Sequence, residues 1–167
     1  MRHIFTLFCF LVIFLSAYSQ NDRDTWDKNY NEINVTDLFH FEKLYADSVD
    51  HGLIEGKYYM RMDNFRFSAL FTGNKRKISD SIKASMIRVY KVYGNHDFLP
   101  IIDKVKYEYE FLIDNNTYWI SMQSVLDKPF MKEIKKDDNV YLYCLFLNEH
   151  GIKGELYNSF LISEFSE

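Results

Sequence analysis

The sequence predicts an α+β fold in which two helices pack on a mainly antiparallel sheet and the C-terminal part curls into a small β-barrel. Two stretches place apolar residues at helical spacing, and several others alternate apolar and polar side chains with the period of two that strands show. Aromatic residues make up 18% of the chain and only two residues are proline, which suits a strand-rich core. We therefore expect a single α+β domain over residues 35–167.

The N-terminal segment over residues 1–19 has the order of a secretory signal peptide. Arg2 opens it, an apolar run covers residues 4–15, and Ala17 and Ser19 hold the small-residue positions before a cut after residue 19. The run is too short for a bilayer span, which needs about 20 apolar residues, and an uncleaved membrane anchor is the alternative. We expect an exported protein, periplasmic or secreted, with no integral membrane span after cleavage.

The charge and cysteine content of the chain limit its possible partners and crosslinks. The formal net charge is −4, and loss of Arg2 with the signal peptide leaves 19 Lys and Arg against 24 Asp and Glu, or −5. A modestly acidic chain has no electrostatic footprint for nucleic acid, so no nucleic-acid partner is expected. Only Cys144 remains after cleavage, so no disulfide can form within one mature chain.

The segment between the signal peptide and the domain is predicted to be a flexible leader over residues 20–34. It is polar and charged and holds too little apolar surface to fold alone. Trp26 and Tyr30 are its large aromatic side chains, and these two could pack on the domain.

Two helices are predicted from apolar spacing and capping residues. The first runs to Asp50, with Asn34 or Thr36 as its N-cap. The second follows the N-cap Ser79 and ends before a Gly-Asn pair. Residues 86–93 of this second helix are rich in β-branched and aromatic side chains and would also suit a strand.

Alternation of apolar and polar residues predicts the first strands. Residues 58–71 alternate around Asp63-Asn64, which indicates either a hairpin turn or a bulge in one long strand, and residues 73–77 are predicted to be a polar loop. Residues 104–113 and 117–123 alternate on either side of a turn and predict a hairpin.

The C-terminal part continues with a short helix over residues 128–134 and a polar turn over 135–139. Residues 139–147 are apolar on both faces and predict a strand that is covered on both sides. A second turn over 149–154 leads to a final strand over 156–165. These four strands, with the short helix between the second and the third, predict the small curled barrel.

Two neighbouring segments carry a resemblance. Tyr118-Trp119-Ile120-Ser121-Met122-Gln123, followed by the acidic residue, polar turn and apolar strand of residues 133–143, resembles a pattern in uncharacterised exported bacterial proteins. It covers about the last third of the chain. The resemblance implies an OB-like or SH3-like barrel and implies no particular activity, because such a fold does not fix function.

The sequence offers few candidate residues for nucleophilic catalysis or for metal binding. Cys144, with His96 or His150 as a base, could act as a nucleophile, but its mid-strand position is more typical of a buried structural cysteine. Asp47 and Asp50, with the adjoining histidine, could bind a metal, but a solvated helix end is the simpler interpretation. We therefore expect no catalytic cysteine, no metal and no cofactor.

Acid–base chemistry needs two carboxylates across a cleft. Glu108 and Glu110 share one strand face beside lysines. The wet side of an antiparallel hairpin explains this pattern better, since polar residues ordinarily alternate there.

Surface recognition is the remaining class. Trp119, Tyr118, Tyr141 and Tyr143 lie on adjacent predicted strands and could form an aromatic platform, with Gln123 as a polar anchor. Core packing is the alternative for each aromatic. The interpretation we favour is an exported, non-catalytic protein of the bacterial envelope or periplasm that binds a protein, peptide or glycan. The alternatives are a small secreted hydrolase using carboxylate and histidine chemistry and a structural partner in an assembly.

We expect the exported protein to begin at Gln20 or Asn21, because the peptidase cuts after a small residue, here Ser19. Intact-mass analysis of exported material measures this directly. A mass that still includes Met1 would contradict the export prediction.

Overall fold

The computed structural model describes residues 25–55, 59–151 and 153–166. Its helices are α1 (Val35–Asp50), α2 (Asp80–Tyr93), a 3₁₀ helix (His96–Phe98), α3 (Leu99–Asp103) and α4 (Asp127–Glu133). Its strands are β1 (Asn31–Glu32), β2 (Tyr59–Lys77), β3 (Tyr107–Ile113), β4 (Asn116–Met122), β5 (Asn139–His150) and β6 (Leu156–Ser166). The α+β class is confirmed. The predicted signal peptide and its cut lie outside the described residues.

The strands form one mixed sheet whose pairings close into a ring. Starting from β2, each strand pairs with the next in the order β2-β3-β4-β6-β5, and β5 pairs back with β2. The β4–β6 pair is parallel, and the other four pairs of the ring are antiparallel. Strand β1 adds to β2 in parallel, outside the ring. The interior of this ring is where the apolar faces of the strands meet.

Local signals set the ends of α1 and α2, as predicted. Asn34 Oδ1 accepts the backbone N–H of Asp37, and Ser79 Oγ accepts that of Ile82, so each helix has a side-chain N-cap. After α1, Gly52 adopts φ +68°, a left-handed conformation that glycine tolerates and that ends the helix. Residues 86–93 are helical, which resolves the helix–strand ambiguity.

The predicted hairpin is β3 and β4. Asp114 and Asn115 both have positive φ, at 49° and 63°, as a two-residue type I′ turn requires. Ile113 pairs directly with Asn116 across it. Short polar residues tolerate this backbone conformation, and so the turn fixes the register of the hairpin.

Of the two alternatives for the first alternating segment, the one long strand is confirmed. Asp63 and Asn64 continue it without a bulge, paired with Phe146 and Leu145 of β5. The predicted loop over residues 73–77 is wrong, because these residues belong to β2, and the irregularity lies between Phe71 and Lys75. Gly73 supplies the positive φ of 85° that a bulge needs.

Strand β5 is likewise longer than predicted. It continues through Asn148, Glu149 and His150, the last two of which belong to the predicted turn over 149–154, and all three residues are buried. Their polar side chains meet partners from α1, α2 and β6, which sequence spacing does not reveal. The helices over residues 96–103 were also missed.

The main core lies inside the ring, where aromatic rings dominate. Phe130 of α4 contacts the rings of Phe71, Tyr109 and Phe165, and Phe39 of α1 stacks on Phe160 at 5.6 Å. The buried residues of this core are Val35, Phe65, Phe67, Ala69, Phe71, Tyr109, Phe111, Ile113, Ile120, Met122, Phe130, Ile134, Val140, Leu142, Cys144, Phe146, Phe160 and Ile162.

A second, smaller core lies on the opposite face of β5 and β6. Met86 and Val89 of α2 are fully buried there, in one cluster with Leu147 and Leu161. The segment between β2 and β3 therefore covers part of the outer face of the ring. Among the described residues, no helix combines the length and the hydropathy that crossing a membrane requires.

We expect the thiol of Cys144 in the mature protein to resist a thiol reagent in native buffer, because its side chain is fully buried and burial raises its pKa well above the ordinary value. Reaction rates with and without urea measure this, with Lys132→Cys as an exposed control. Cys144→Ala should cost about 1–2 kcal/mol as a cavity. Rapid native modification or an unchanged stability would contradict the central position of β5.

Candidate functional site

The predicted aromatic platform is divided by the sheet topology. Strands β4 and β5, which carry these aromatic residues, were predicted to be adjacent, but β6 lies between them. Tyr118 and Trp119 are consecutive on β4 and point to opposite faces. The structure therefore does not bring the four aromatic side chains onto one surface.

Tyr118 and Trp119 each have structural partners. The hydroxyl of Tyr118 lies 3.1 Å from Thr36 Oγ1, and its ring meets Phe39 edge-on. The guanidinium of Arg76 lies 4.2 Å from the centroid of the Trp119 ring. Tyr118 thus faces α1 and Trp119 lies beneath a cation.

Tyr143 joins the N-terminal segment to the sheet. It is only 1% exposed, and its ring lies 5.7 Å from Trp26 and 5.6 Å from Tyr30. Its hydroxyl donates to Asp27 at 2.8 Å. Tyr141 meets the ring of Tyr143 edge-on. The last part of the predicted leader, residues 25–34, therefore contacts the sheet, while the domain boundary at residue 35 stays a prediction.

Beside this contact, an open cavity of about 510 Å³ lies between three elements: the N-terminal segment, the outer face of the sheet, and the helices over residues 80–103. We call it the aromatic cavity. It is lined by Trp26, Tyr30, Met62, Asn64, Tyr90, Tyr93, Gly94, Asn95, Phe98, Ile101, Ile102, Gln123, Leu145, Leu161 and Ser163.

A hydrogen-bonded polar group lies in this aromatic lining. Gln123 Nε2 donates to Ser163 Oγ at 3.2 Å, and Ser163 also hydrogen-bonds to Tyr30. Burial raises the pKa of the Tyr30 hydroxyl, which therefore stays protonated at neutral pH. None of the described residues that line the cavity has a side chain that is ionised at neutral pH. The cavity thus offers neutral donors and acceptors only.

Ion pairs just outside the cavity hold two of its walls. Arg66 binds Asp27 at 2.5 Å, which fixes the N-terminal segment against β2. Arg88 of α2 makes two hydrogen bonds to Glu149 of β5, at 2.7 and 2.6 Å. Such a bidentate pair has a defined geometry, so it orients α2 on the sheet.

The cavity wall at the end of α2 depends on the close packing of Gly94 against the ring of Tyr90. An added Cβ at Gly94 would lie 2.6 Å from the ring of Tyr90, so only glycine fits there without a shift. Tyr93, which is 52% exposed, donates its hydroxyl to the carbonyl of Met60 at 2.9 Å. Phe98 is also 52% exposed. The cavity therefore keeps accessible aromatic surface.

The carboxylates of β3 do not form a wet strand face. Glu108 is only 2% exposed and pairs with Arg76 at 2.8 Å, so the expectation of solvent exposure was wrong. Burial raises the pKa of Glu108, and Arg76 opposes that shift. Hydrogen bonds from Asn74 and Thr72 lower the pKa of Glu110. Arg76 covers Glu108 because β2 extends beyond Gly73.

Neither histidine candidate belongs to the lining of the aromatic cavity. His150 Nε2 lies 3.1 Å from Asp50, but the imidazole is fully buried. His96 lies 2.9 Å from the carbonyl of Lys91, and Cys144 is fully buried in the main core. A substrate would reach His150 only if its surroundings opened.

The residues proposed for a metal have other contacts. His51 Nδ1 lies 2.7 Å from the carbonyl of Asp47, and Asp50 faces His150. In the part of the chain that the structure describes, no group of three or more His, Cys, Asp or Glu side chains is arranged to hold a metal ion.

Sequence reasoning found Gln123 and the supporting Tyr143 but missed most of the lining. Tyr90 and Tyr93 belong to a helix whose periodic pattern indicates core packing, and Phe98 belongs to a helix that was not predicted. The positions of Tyr93 and Phe98 on either side of a Gly-Asn helix stop were the available signal.

Comparison with protein-family models and with curated proteins gives no match to this chain.

We expect Glu149→Gln to lower the free energy of unfolding at neutral pH by about 1–3 kcal/mol, because it removes a charge-assisted pair with Arg88. Burial raises the pKa of Glu149, but the hydrogen bonds from Arg88 and Ser85 and the charge of Arg88 together outweigh it, so the folded pKa is below the ordinary 4.5. A carboxyl whose pKa is lowered by folding stabilises the protein above its unfolded pKa and ceases to do so as the pH falls through its folded value.

The difference between wild type and Glu149→Gln should therefore shrink as the pH falls below 4.5, as measured by urea unfolding. Glu133→Gln, at an exposed position of α4, is the matched control and should change stability little at either pH. A difference for Glu149→Gln that persists unchanged in acid would contradict the role of the charge.

Proposed function

We propose that this protein is an exported binding protein of the bacterial envelope or periplasm, and that the aromatic cavity is its ligand site. The bound molecule is a protein, peptide or glycan, and binding involves no chemical step. The predicted signal peptide supports the location.

The observation that carries this proposal is the composition of the cavity. Its volume falls within the roughly 300–1,000 Å³ of small-ligand pockets, which combine apolar and aromatic walls with a few placed polar groups. Here the polar centre is Gln123, Ser163 and the hydroxyl of Tyr30. Tyr93 and Phe98 present aromatic surface that the fold leaves accessible.

We also propose that the ring of strands is a small OB-like or SH3-like barrel, as the resemblance of residues 118–143 implies, and that α1 and α2 pack on it. The cyclic pairing of β2 to β6 supports this, because a closed arrangement removes unpaired edges. The position of α4 between β4 and β5 in the chain agrees with the short helix predicted between the second and third strands of the barrel. Fold alone does not assign a ligand.

A small hydrolase is the second candidate, and the pairing of His150 with Asp50 is the observation that favours it. An acid–base pair must reach the proton that it transfers. The imidazole of His150 is fully buried, whereas the aromatic cavity is open. For that reason binding without chemistry is the stronger proposal.

We expect Tyr93→Ala to weaken binding of the mature protein to its ligand by at least about tenfold, or about 1.4 kcal/mol. Ligands are sought among envelope glycans, envelope peptides and co-secreted proteins. Tyr93 is half exposed, so the substitution removes accessible ring surface with little loss of core packing.

Trp119→Ala is the matched control, since Trp119 lies outside the cavity lining. Equal folding of the variants is checked by urea unfolding. Loss of binding in Trp119→Ala, with Tyr93→Ala unaffected, would move the site to the Arg76 face. Turnover of a bound molecule that is lost in His150→Asn would favour the hydrolase.

A further inference from the structure

We propose that the ligand of the aromatic cavity is an uncharged saccharide. This inference rests on the proposed function, because it names the chemical class of molecule that the same cavity takes. It follows from three properties of the lining: its lack of charge, its flat aromatic surfaces, and the placement of its amide and hydroxyl groups.

The lack of charge excludes ionised ligands. None of the described lining residues is an Asp, Glu, Lys, Arg or His. The nearby charges of Asp27 and Arg88 are engaged with Arg66 and Glu149, outside the lining. An ionised ligand group would lose water on entering and gain no counter-charge, and burial of a charge on those terms is unfavourable. Peptide termini, phosphorylated sugars and carboxylate metabolites are therefore disfavoured.

The aromatic surfaces suit a pyranose ring. One face of such a ring presents several C–H groups, which pack on the electron-rich face of an aromatic side chain. Trp26 and Tyr30 come from the N-terminal segment, whereas Tyr93 and Phe98 come from the helical side of the cavity. A flat ring can thus meet aromatic groups that two separate elements supply.

The polar groups suit the rim of hydroxyls on the same ring. Gln123 uses one N–H on Ser163, and an amide carries a second N–H donor and a carbonyl acceptor besides. Asn64 and Asn95 add two more amides to the lining. Because each amide both donates and accepts, it matches hydroxyl groups, which do the same.

A wholly apolar ligand fits less well. It would cover Gln123 and Ser163 and take water from them without replacing its hydrogen bonds. An internal stretch of peptide would bring neutral amides, but it lacks the dense rim of hydroxyls. The saccharide is the ligand that uses both kinds of surface together.

The test uses the two tryptophans of the chain, Trp26 and Trp119. In Trp119→Phe, Trp26 is the only tryptophan and reports from the cavity wall. In Trp26→Phe, only Trp119 remains, which lies beneath Arg76 and outside the lining. Both mature variants are titrated with glucose, galactose, N-acetylglucosamine and the β1–4-linked dimers cellobiose and diacetylchitobiose, and with glucosamine and glucuronate as charged counterparts.

We expect at least one neutral sugar to change the emission of Trp26 saturably, with no change of the Trp119 emission in the partner variant. Glucosamine and glucuronate should bind at least about tenfold more weakly than their neutral counterpart. Gln123→Leu should weaken sugar binding by a similar factor, because it keeps the size of the side chain and removes the amide. An apolar ligand would bind Gln123→Leu more tightly.

Two other outcomes separate the saccharide from the proposed function. Two results would overturn the saccharide and leave the cavity as the binding site. One is saturable quenching of Trp26 emission by a charged sugar that is as strong as the quenching by a neutral sugar. The other is saturable quenching by an envelope peptide when no sugar changes the emission. If Tyr93→Ala changed the binding of no glycan, peptide or protein, both proposals would fail.

Discussion

Strand β2 is hydrogen-bonded along its length to two different strands of the ring, and this double pairing shapes the molecule. Residues Tyr59–Leu70 pair with β5, and Leu70–Lys77 pair with β3, so the strand belongs to both sides of the ring. The partner changes at Leu70, and the bulge at Gly73 lies within the pairing with β3. Because alternate side chains of β2 point to one face, Phe65, Phe67 and Phe71 meet residues from every other strand of the ring in the main core. Core and topology thus depend on the same strand.

Closure of the ring leaves the outer face of its strands to be covered by other segments of the chain. The chain between β2 and β3 provides it, since α2 buries Met86 and Val89 against β5 and β6 and is oriented by Arg88 and Glu149. From the other side, the N-terminal segment contacts Tyr143. Neither element covers the face completely, and the aromatic cavity is the space between them. A site at such a seam can use side chains from distant parts of the sequence.

Features that depend on nearby residues could be predicted, and features that depend on distant ones could not. The caps at Asn34 and Ser79 and the turn of the β3–β4 hairpin are local, so sequence reasoning identified them, although not the type of the turn. The burial of Glu108 depends on Arg76, which is 32 residues away. The candidate site shows the same difference between local and distant features. Gln123 could be singled out from the sequence because it ends a predicted strand. Tyr93 lines the cavity only because the fold places other elements opposite it.

The composition of the cavity walls links ligand binding to the docking of the N-terminal segment. Trp26 and Tyr30 line the cavity only while residues 25–34 lie on the sheet, and this segment is held by Asp27, by the two-residue strand β1 and by ring contacts with Tyr143. A ligand that contacts Trp26 binds the docked form better than an undocked one. By mass action it must then stabilise the docked form, in proportion to the affinity that Trp26 and Tyr30 contribute. Binding at the proposed site and docking of residues 25–34 on the sheet would therefore be coupled.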